Sequence, residues 1–567
     1  MTIRQNFRLH PGLVAILCGL SVVSAAANAG AAAGADFPLR VGEVRLRIEE
    51  IFASSELADS HGFLHATRRL VNALHIDTRE AVLRREFLFA EGDVLDAARL
   101  QETERNLRAL GYLTNVSVVA VDTLPDGRVD LEVRAQETWS LTTAATYAHS
   151  PVKDRWSAEL SDQNFLGYGV EVIASFGADE DRSFRRLAYQ DRRVFGSPYQ
   201  VRFDYTDLSD GRTRGFWFSR PYQAEETPWS MQAGVWDRSF TPRFYVSPAG
   251  PAGGGGESSL YASLPLRERG IQAWVSRRVG RGPGRIWRLG VGLWSDENKF
   301  LVPVTVGLSD GRVVDQSVLR AAAGPALRRS TGRRVQPLLI VESLGRRWTT
   351  QRYVMSYGAQ EDLNLDPLLR LSAGPVLAGL GSDRERFMAE WRAVDWSRLG
   401  PGMLLLRHTG QASLGSRDNQ SVGIGLEAGW IVRTGEADLS RAWVEGAIGS
   451  NLLGPEAFAL GLTRGLRTLD YDGMVGDRLV RWNLEQTRLL PGELLGLYKL
   501  GLAVFQAGGA AWWNDEARGL GRARHETGVG LRFGPTRSAR ADVARLDLTW
   551  PWSGGGPQVT AVTSGYF

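Results

Sequence analysis

Residues 478–490 read RLVRWNLEQTRLL, a segment in which polar and apolar side chains alternate. Successive side chains of a β-strand point to opposite faces of the sheet. The pattern therefore puts Arg481, Asn483 and Glu485 on one face. The opposite face carries Val480, Trp482 and Leu484. A strand with one polar and one apolar face is typical of a barrel wall that separates water from lipid.

The same alternation recurs, with turn residues between segments, from residue 138 to Phe567. The clearest segments are residues 140–147, 156–161, 170–176, 199–205, 216–220, 229–236, 386–395, 478–490, 500–513, 527–533 and 544–552. Antiparallel hairpins at this spacing predict an all-β, up-and-down antiparallel barrel over residues 138–567. The segments number between about sixteen and twenty, because residues 248–256 and 309–334 obscure the middle of the chain.

The first 29 residues have the parts of a secretory signal. Arg4 and Arg8 precede an apolar core at residues 13–23, and Ala27-Asn28-Ala29 is a small-x-small cleavage site. The alternative is a membrane anchor, but the apolar core is shorter than the ~20 residues that span a bilayer. The chain's one cysteine, Cys18, lies in this segment, so the mature protein is expected to have no disulfide.

Composition narrows the class of protein. A mean hydropathy of -0.20 is too polar for a helical membrane protein, whereas 65 glycines and 18 tryptophans suit a barrel with tight turns and aromatic belts. Lipid admits only helices or closed barrels, so an exported chain of this pattern is expected in the bacterial outer membrane. The net charge of +4 gives no indication of nucleic-acid binding.

Residues 41–137 have a different period, after a linker at residues 30–40. Residues 44–48 alternate as a strand, Thr78 and Asp96 can each cap a helix, and residues 115–121 and 128–134 flank a turn. The predicted order is strand, helix, helix, strand, strand, which is a small α+β module with an exposed sheet edge.

Four motifs resemble the outer-membrane protein 85 superfamily, which includes BamA, TamA and the two-partner-secretion transporters. They are residues 74–78 with 91–93 and 104–112, residues 162–169 (DQNFLGYG), residues 466–469 with 476–485, and residues 503–512 with 528–532 and the terminal Phe567. The resemblance implies one periplasmic POTRA module over residues 41–137 and a surface-antigen barrel of about sixteen strands over residues 138–567. In the resemblance, Asn164 and Gly167 belong to the turn after the second barrel strand, and Phe567 is the C-terminal assembly signal.

The resemblance also implies a function. Members assemble, insert or translocate proteins at the outer membrane. A client strand would pair by β-augmentation with the seam between the first and last barrel strands, or with the POTRA edge. Implied partners are outer-membrane lipid and lipopolysaccharide, client or secreted proteins, and a periplasmic partner at the POTRA module. A seam that stays shut is the alternative, and it leads to a passive or substrate-specific channel with a POTRA tether.

One motif departs from the family pattern. The family has Arg-Gly-aromatic in a loop that folds into the barrel, whereas this chain has Arg467-Thr468-Leu469, with Arg464 as a competing register. The inward aspartate of the family is replaced by Ala507. An enclosed arginine needs a carboxylate, so we predict that Glu485 pairs with Arg467 to hold the loop, with Asp477 nearby. The alternative is that Glu485 is an ordinary hydrated carboxylate of the lumen.

Enzymatic chemistry is not indicated. The seven histidines show no metal-ligand spacing, and strand alternation would put His408 and Ser413 on opposite faces. We therefore predict neither catalysis nor a cofactor nor a metal site. The arginines at positions 328, 329, 333 and 334 either contact lipopolysaccharide phosphates or lie in a solvated loop.

Overall fold

The computed structural model describes residues 38–148, 154–179, 181–246, 260–280, 284–301, 305–308, 331–415, 420–452, 457–462, 465–469, 473–514, 519–539 and 542–563. The predicted signal segment, Cys18, Arg328, Arg329, Arg464 and Phe567 lie outside these residues.

The N-terminal part of the described chain is a small α+β module. Its helices are α1 (Ser54–Ala58), α2 (Gly62–Leu74), α3 (Glu80–Arg84) and α4 (Ala97–Arg108). Its strands are β1 (Arg40–Glu49), β2 (Leu113–Thr123) and β3 (Arg128–Glu137). The sheet order is β1-β3-β2, with β1 parallel and β2 antiparallel to β3. Because parallel neighbours need a long connection, the helices lie between β1 and the β2–β3 hairpin.

The module has its own apolar core. Leu83 of α3 and Leu107 of α4 are fully buried and pack in one cluster with Leu131 of β3. Helix α4 begins where the sequence predicts, because the Asp96 carboxylate accepts a hydrogen bond from the Ala98 backbone N–H at 2.9 Å.

The predicted order of elements omits α1 and α2. At the start of α2 the His61 side chain makes no capping hydrogen bond, and no residue of α2 is buried. Two of the signals that identify a helix, a cap and a core-facing stripe, are thus missing. None of the helices in the described residues is both long and apolar enough to cross a bilayer.

The described residues after the module consist mostly of strands. The strands are β4 (Leu141–Ala148), β5 (Arg155–Asp162), β6 (Val170–Ala178), β7 (Ser183–Asp191), β8 (Gln200–Leu208), β9 (Gly211–Arg220), β10 (Trp229–Phe240), β11 (Arg243–Val246), β12 (Leu260–Ser263), β13 (Leu266–Val279), β14 (Ile286–Phe300), β15 (Thr305–Leu308), β16 (Gly332–Leu344), β17 (Trp348–Gln351), β18 (Glu361–Asn364), β19 (Leu368–Val376), β20 (Arg386–Leu399), β21 (Gly402–Gly415), β22 (Ser421–Arg433), β23 (Asp438–Ser450), β24 (Phe458–Leu460), β25 (Met474–Gly476), β26 (Arg478–Leu489), β27 (Tyr498–Trp512), β28 (Arg524–Pro535), β29 (Ala544–Pro551) and β30 (Gln558–Thr563).

Twenty of these strands form one closed antiparallel barrel, which confirms the predicted fold class. The seam is the junction at which Thr560–Val562 of β30 pair with Thr146–Ala148 of β4. The predicted count of about sixteen is wrong. It followed the family resemblance, whereas the long strands β13, β14 and β16 lie beside the turn-rich stretches that obscure the alternation.

Ten strands are not in the barrel wall. They are β1–β3 of the module, a sheet of β11, β12 and β15, and the hairpins β17–β18 and β24–β25. The hairpin β17–β18 starts from the rim of the barrel beside the module, which we call the module rim. The other two groups start from the opposite rim.

Alternation in the wall follows the sequence prediction. Leu484 of β26 is 51% exposed on the outer face, whereas the Glu485 side chain beside it is 0% exposed. Strand β21 is unbroken from Gly402 to Gly415, so His408 and Ser413 lie on opposite faces of it.

Candidate functional site: the lumen loop and the module rim

The segment between β23 and β26 folds against the inner wall of the barrel. We call its described residues (457–462, 465–469 and 473–477) the lumen loop. Leu460 and Leu466 are fully buried and pack in one cluster with Ala507 of β27. A small residue at position 507 leaves room for the loop beside the wall.

Arg467 attaches the loop to β28 and β29, which follow β26 and β27 in the barrel wall. Its Nη1 donates to Glu526 Oε1 of β28 at 3.1 Å, and its Nε donates to Asp547 Oδ2 of β29 at 2.8 Å. The backbone N–H groups of Arg467 and Thr468 donate to the two oxygens of Glu526 at 3.1 and 3.0 Å. The guanidinium also lies 4.1 Å from the centre of the Phe505 ring, so charge, hydrogen bonds and an aromatic face all fix the loop.

Glu485 lies in the lumen as predicted, but its partner differs from the predicted one. Its carboxylate accepts from Arg532 Nη2 at 2.6 Å, and Arg532 Nη1 donates to Asp547 at 2.5 Å. The ion pairs of Arg467 run to Glu526 and Asp547 instead. Glu485 is joined to Arg467 through Arg532 and Asp547. The reason is position, because the loop reaches past β27 to β28 and β29, which follow it in the wall, and Arg532 of β28 already pairs with Glu485.

Asp477 has another task than the predicted one. Its carboxylate accepts from the Asn514 backbone N–H at 2.8 Å and pairs with Arg478 at 3.3 Å. It therefore joins the ends of β26 and β27 at the rim opposite the module, rather than contacting Arg467.

A second insert enters the lumen from the module rim. Residues 345–367, here called the rim hairpin, include β17 and β18. Tyr357 is fully buried and packs with Leu405, Leu439 and Trp443 of the inner wall. A Cβ on Gly534 of β28 would lie 2.2 Å from the Tyr357 Cβ, so the wall has no side chain at the closest approach.

Charged side chains connect the two inserts. Arg441 of β23 lies 3.9 Å from Glu485 and 5.4 Å from the Tyr357 ring centre. Together with Asp547 and Arg532, these side chains form a continuous line from the lumen loop to the rim hairpin. We call the group Arg441, Arg467, Glu485, Glu526, Arg532 and Asp547 the lumen network.

The turn between β5 and β6 holds the module. The Asn164 side chain, which is 1% exposed, donates to Thr78 Oγ1 at 2.8 Å and accepts from the Gly169 backbone N–H at 2.8 Å. Gly167 has φ +75°, and a Cβ there would lie 2.4 Å from the Asp77 carbonyl oxygen. The two predicted turn residues therefore meet the segment just before α3.

Other turns of the module rim bind α3 and α4. Arg193, between β7 and β8, makes two hydrogen bonds with Glu86 at 2.8 and 2.6 Å. Arg108 of α4 binds Asp362 of the rim hairpin through two hydrogen bonds at 2.8 and 3.0 Å. Arg105 of α4 pairs with Glu225, between β9 and β10, at 3.2 Å. The module thus spans the mouth of the barrel from one turn to the next.

Two buried carboxylates of this joint have pKa values shifted in opposite directions. Burial acts to raise the pKa of Glu137, but hydrogen bonds from His75 and Thr78 outweigh it and hold the pKa below its usual value. Burial raises the pKa of Glu102, and the nearby negative charge of the Glu225 carboxylate raises it further. A hydrogen bond from the Glu225 backbone N–H acts in the opposite direction but does not outweigh these two effects.

His75, Asp77 and Glu137 are the closest approach to a metal-ligating set in the described residues, with ligand atoms within 4.8 Å of one another. His75 Nε2 and Glu137 Oε2 are 2.8 Å apart, and Glu137 Oε1 accepts from the Thr78 backbone N–H at 2.6 Å. These contacts account for the cluster as a hydrogen-bonded joint.

Sequence reasoning missed Glu526, Arg532, Asp547 and Arg441. A signal for them exists, because a charged residue inside an alternating barrel strand belongs to the lumen face. Arg532 and Asp547 lie within segments recognised as strands. The alternation gives their face, whereas their partners depend on strands far apart in the chain.

Comparison with known proteins decides the nature of the module. Residues 75–138 match the POTRA family, described as a surface antigen variable number repeat. The N-terminal module contains a POTRA domain. Over 140 residues, the chain is 29% identical to the "Putative outer membrane protein assembly factor" of Treponema pallidum (strain Nichols). That match covers 23% of this chain, which spans only 16% of the length of that relative.

Two solved structures align with most of the chain. BamA from Haemophilus ducreyi, lacking POTRA domains 1–3, is 12% identical with a TM-score of 0.40, covering 93% of this chain and 85% of that one. CdiB from Escherichia coli is 12% identical with a TM-score of 0.43, covering 92% and 76%. Likenesses this distant carry no argument about function.

The predicted resemblance to the outer-membrane protein 85 superfamily is confirmed by the POTRA match and the assembly-factor relative. The barrel is an outer-membrane barrel, and its POTRA domain lies in the periplasm. The module rim is therefore the periplasmic rim, and the lumen loop starts from the extracellular side. On that side Arg334 pairs with Asp296 at 2.6 Å, and contact with lipopolysaccharide stays a prediction.

Proposed function

We propose that this protein assembles or translocates other proteins at the outer membrane, and that client strands pair with the opened seam between β30 and β4. The observation that carries the proposal is that two folded inserts lie in the lumen of a barrel whose first and last strands meet at a seam. The lumen loop and the rim hairpin occupy the interior, and the POTRA domain spans the periplasmic mouth. This arrangement supports work at the wall of the barrel rather than flow through it.

The seam joins the first and last strands of the barrel. Within the described residues, Thr560–Val562 of β30 pair with Thr146–Ala148 of β4. These two strands are the ends of the barrel segment, so they can separate without parting two strands that are consecutive in the chain. Separation exposes backbone N–H and C=O groups, which an incoming strand satisfies by β-augmentation.

The POTRA sheet offers a second pairing edge. On β2, Arg108 and Glu104 bind the carbonyl of Val116 and the N–H of Val118. On β1, Glu91 and Arg84 bind the backbone of Val44 in the same way. The backbone N–H and C=O groups of successive residues point to opposite edges of a strand. Those of Val44 point to the outer edge of β1, so every second residue after Val44 presents its backbone groups at that edge. We infer that a client or a periplasmic partner pairs there.

A disulfide across the seam tests the proposal. Tyr147 and Ala561 are register partners across the seam, and Ala145 and Ala158 are partners across β4–β5. Cysteine pairs at these two places differ only in which junction they close. The protein is reconstituted in liposomes, and insertion of a urea-unfolded eight-stranded outer-membrane protein is followed by its heat-modifiable gel mobility.

We expect the oxidised seam pair to abolish insertion, the reductant to restore it, and the β4–β5 pair to have no effect. Equal insertion with both disulfides closed would refute a working seam. A large, steady conductance without client that both disulfides leave unchanged would support the channel alternative. Photocrosslinking in cells from Tyr147 separates the two client classes, because adducts with many nascent barrels indicate assembly and adducts with one exported protein indicate secretion.

A further inference from the structure

Helix α2 presents its apolar side chains away from the protein. Phe63, Leu70 and Leu74 are 77%, 58% and 63% exposed. Their spacing of seven and four residues puts them on one side of the helix as a single stripe. Three large apolar side chains in a row on a solvent-facing helix are unusual for a soluble module.

Polar side chains fix the other side of α2. Arg68 Nη1 donates to the Glu56 carbonyl at 2.8 Å, and Asn72 Nδ2 donates to the Phe52 carbonyl at 2.9 Å. His65 Nδ1 lies 3.0 Å from the Leu57 carbonyl. The helix is therefore inverted relative to an ordinary surface helix, because its polar side binds the protein and its apolar side does not.

These contacts fix α2 at the periplasmic rim of the barrel. A Cβ on Gly496, between β26 and β27, would lie 3.2 Å from the Phe52 ring and 3.3 Å from Arg68 Nε. Arg537, in the turn before β29, donates to the Ile51 carbonyl at 2.7 Å and pairs with Glu56. The base of α2 thus rests on two neighbouring turns close to the seam.

The same rim carries an exposed apolar surface that continues up the barrel. Leu494 and Leu495 precede Gly496 and are 47% and 38% exposed. Tyr498 and Leu502 follow on the outer, lipid-facing side of β27. The rim that holds α2 is therefore the lower border of the apolar band that contacts the bilayer.

We propose that α2 is an interfacial helix that inserts its apolar stripe into the periplasmic leaflet of the outer membrane. Continuity with the apolar band makes lipid the occupant. A helix in the interface plane needs an apolar side and basic residues that reach phosphate groups. Arg69 is exposed beside the stripe, and His61 is exposed at the start of the helix. The membrane thereby anchors the POTRA domain beside the seam.

Spin labels on full-length protein test this docking. The mature chain is expected to lack cysteine, so Phe63→Cys, Leu70→Cys and Leu74→Cys are labelled singly. Val121→Cys is the matched control, since Val121 of β2 is also apolar and 51% exposed. The protein is placed in nanodiscs of phosphatidylethanolamine and phosphatidylglycerol, and power saturation measures collisions with oxygen and with a water-soluble nickel chelate.

We expect the three stripe labels to collide with the nickel chelate about fivefold less than the control label, and with oxygen more. Heat-modifiable gel mobility checks that each variant has a folded barrel. Nickel accessibility equal to the control would overturn the proposal. Dipolar broadening that disappears on dilution with unlabelled protein would show a second copy on the stripe, and would overturn it too. Protection from the nickel chelate that appears only when a periplasmic protein fraction is added would also overturn the proposal.

Discussion

Two groups of arginines hold parts of this chain to the barrel, one in the lumen and one at the periplasmic rim. In the lumen, Arg467 and Arg532 share the Asp547 carboxylate, and the Arg532 side chain is 0% exposed. At the rim, Arg108 and Arg193 each have a carboxylate of their own on a different element, and their partners keep some contact with solvent. Shared partners couple residues energetically, whereas separate pairs add independently. The lumen network is therefore expected to fail as a unit, and the module to leave the rim step by step.

Removing the central arginine of the lumen network tests this contrast most severely. Arg532→Met keeps the volume but removes the guanidinium that is hydrogen-bonded to Glu485 and one of the two arginines that bind Asp547, so we expect the barrel to lose about 3–5 kcal/mol of its free energy of unfolding. Urea titration in lipid vesicles measures this. Arg481→Met is the control, because Arg481 pairs with Glu445 where both side chains are more exposed. Equal losses of unfolding free energy in the two variants would mean that burial of the lumen network does not increase its contribution to stability.

The second test separates the corrected partner of Arg467 from the predicted one. Asp547→Asn removes a charge that contacts Arg467, so we expect about 1.5–3 kcal/mol less stabilisation of the loop. Glu485→Gln acts on Arg467 indirectly, through Arg532 and Asp547, and is expected to release the loop less. Trypsin cleavage after Arg467 in intact proteoliposomes reports the release. Faster cleavage of the Glu485→Gln variant than of the Asp547→Asn variant would instead support a direct pair between Arg467 and Glu485.

At the rim, a methyl group on the β5–β6 turn is expected to loosen the module. Gly167→Ala adds the strain of a positive φ, roughly 1–2 kcal/mol, and places a Cβ against the Asp77 carbonyl. Gly127→Ala has the same strain, since φ is +83° with open space around it. Hydrogen exchange of the Arg79 amide, which donates to the Gly167 carbonyl at 3.1 Å, is expected to accelerate only in the first variant. Acceleration in both would assign the effect to backbone strain alone.

A single rim pair is expected to matter less. Arg108→Ala removes two hydrogen bonds to Asp362, and a partly exposed pair of this kind contributes on the order of 1 kcal/mol. When Arg108→Ala is combined with Arg193→Ala, the two changes in the free energy of module opening are expected to add within about 0.5 kcal/mol. Native-state hydrogen exchange of the POTRA domain measures both. Strong non-additivity would show that the rim is coupled like the lumen.

The smallest expected effect is the response to pH. The pKa of Glu137 is lowered, so its stabilising contacts are fully present above the unfolded-state value of 4.5 and are lost only as pH falls below it. The pKa of Glu102 is raised, so its ionised form opposes docking and the joint strengthens as pH falls through the raised value. The protection factor of the Glu225 amide, which removes the intrinsic pH dependence of exchange, is expected to rise as pH falls. Glu102→Gln is expected to abolish this rise, and a protection factor that falls in the parent protein would contradict the assignment.

Local patterns explain which features the sequence predicts. The alternation of residues 478–490 is enough to put Glu485 in the lumen, and Asp96 is enough to start α4. The partners of Arg467 lie 59 and 80 residues further along the chain. Their approach depends on how many strands close the barrel and how the wall curves. A one-dimensional pattern contains neither quantity, which is also why the alternation gave a range of sixteen to twenty segments rather than a strand count.

Helix α2 illustrates a different limit. Sequence reasoning identifies a helix by the stripe that it buries, but the apolar side of α2 faces outward. The sequence contains Phe63, Leu70 and Leu74 at helical spacing, and only the three-dimensional placement reveals that nothing in the described chain covers them. The domain boundaries at residues 41–137 and 138–567 stay predictions, since the family match extends over residues 75–138 alone.

The rim hairpin touches both regions, and this has a thermodynamic consequence. Asp362 binds the POTRA domain while Tyr357 occupies the lumen, so the free energies of docking and of lumen occupation share one element. Linkage is reciprocal. A periplasmic ligand that draws the POTRA domain away from Asp362 weakens the seating of Tyr357. A ligand that displaces Tyr357 weakens the POTRA contact by the same free energy.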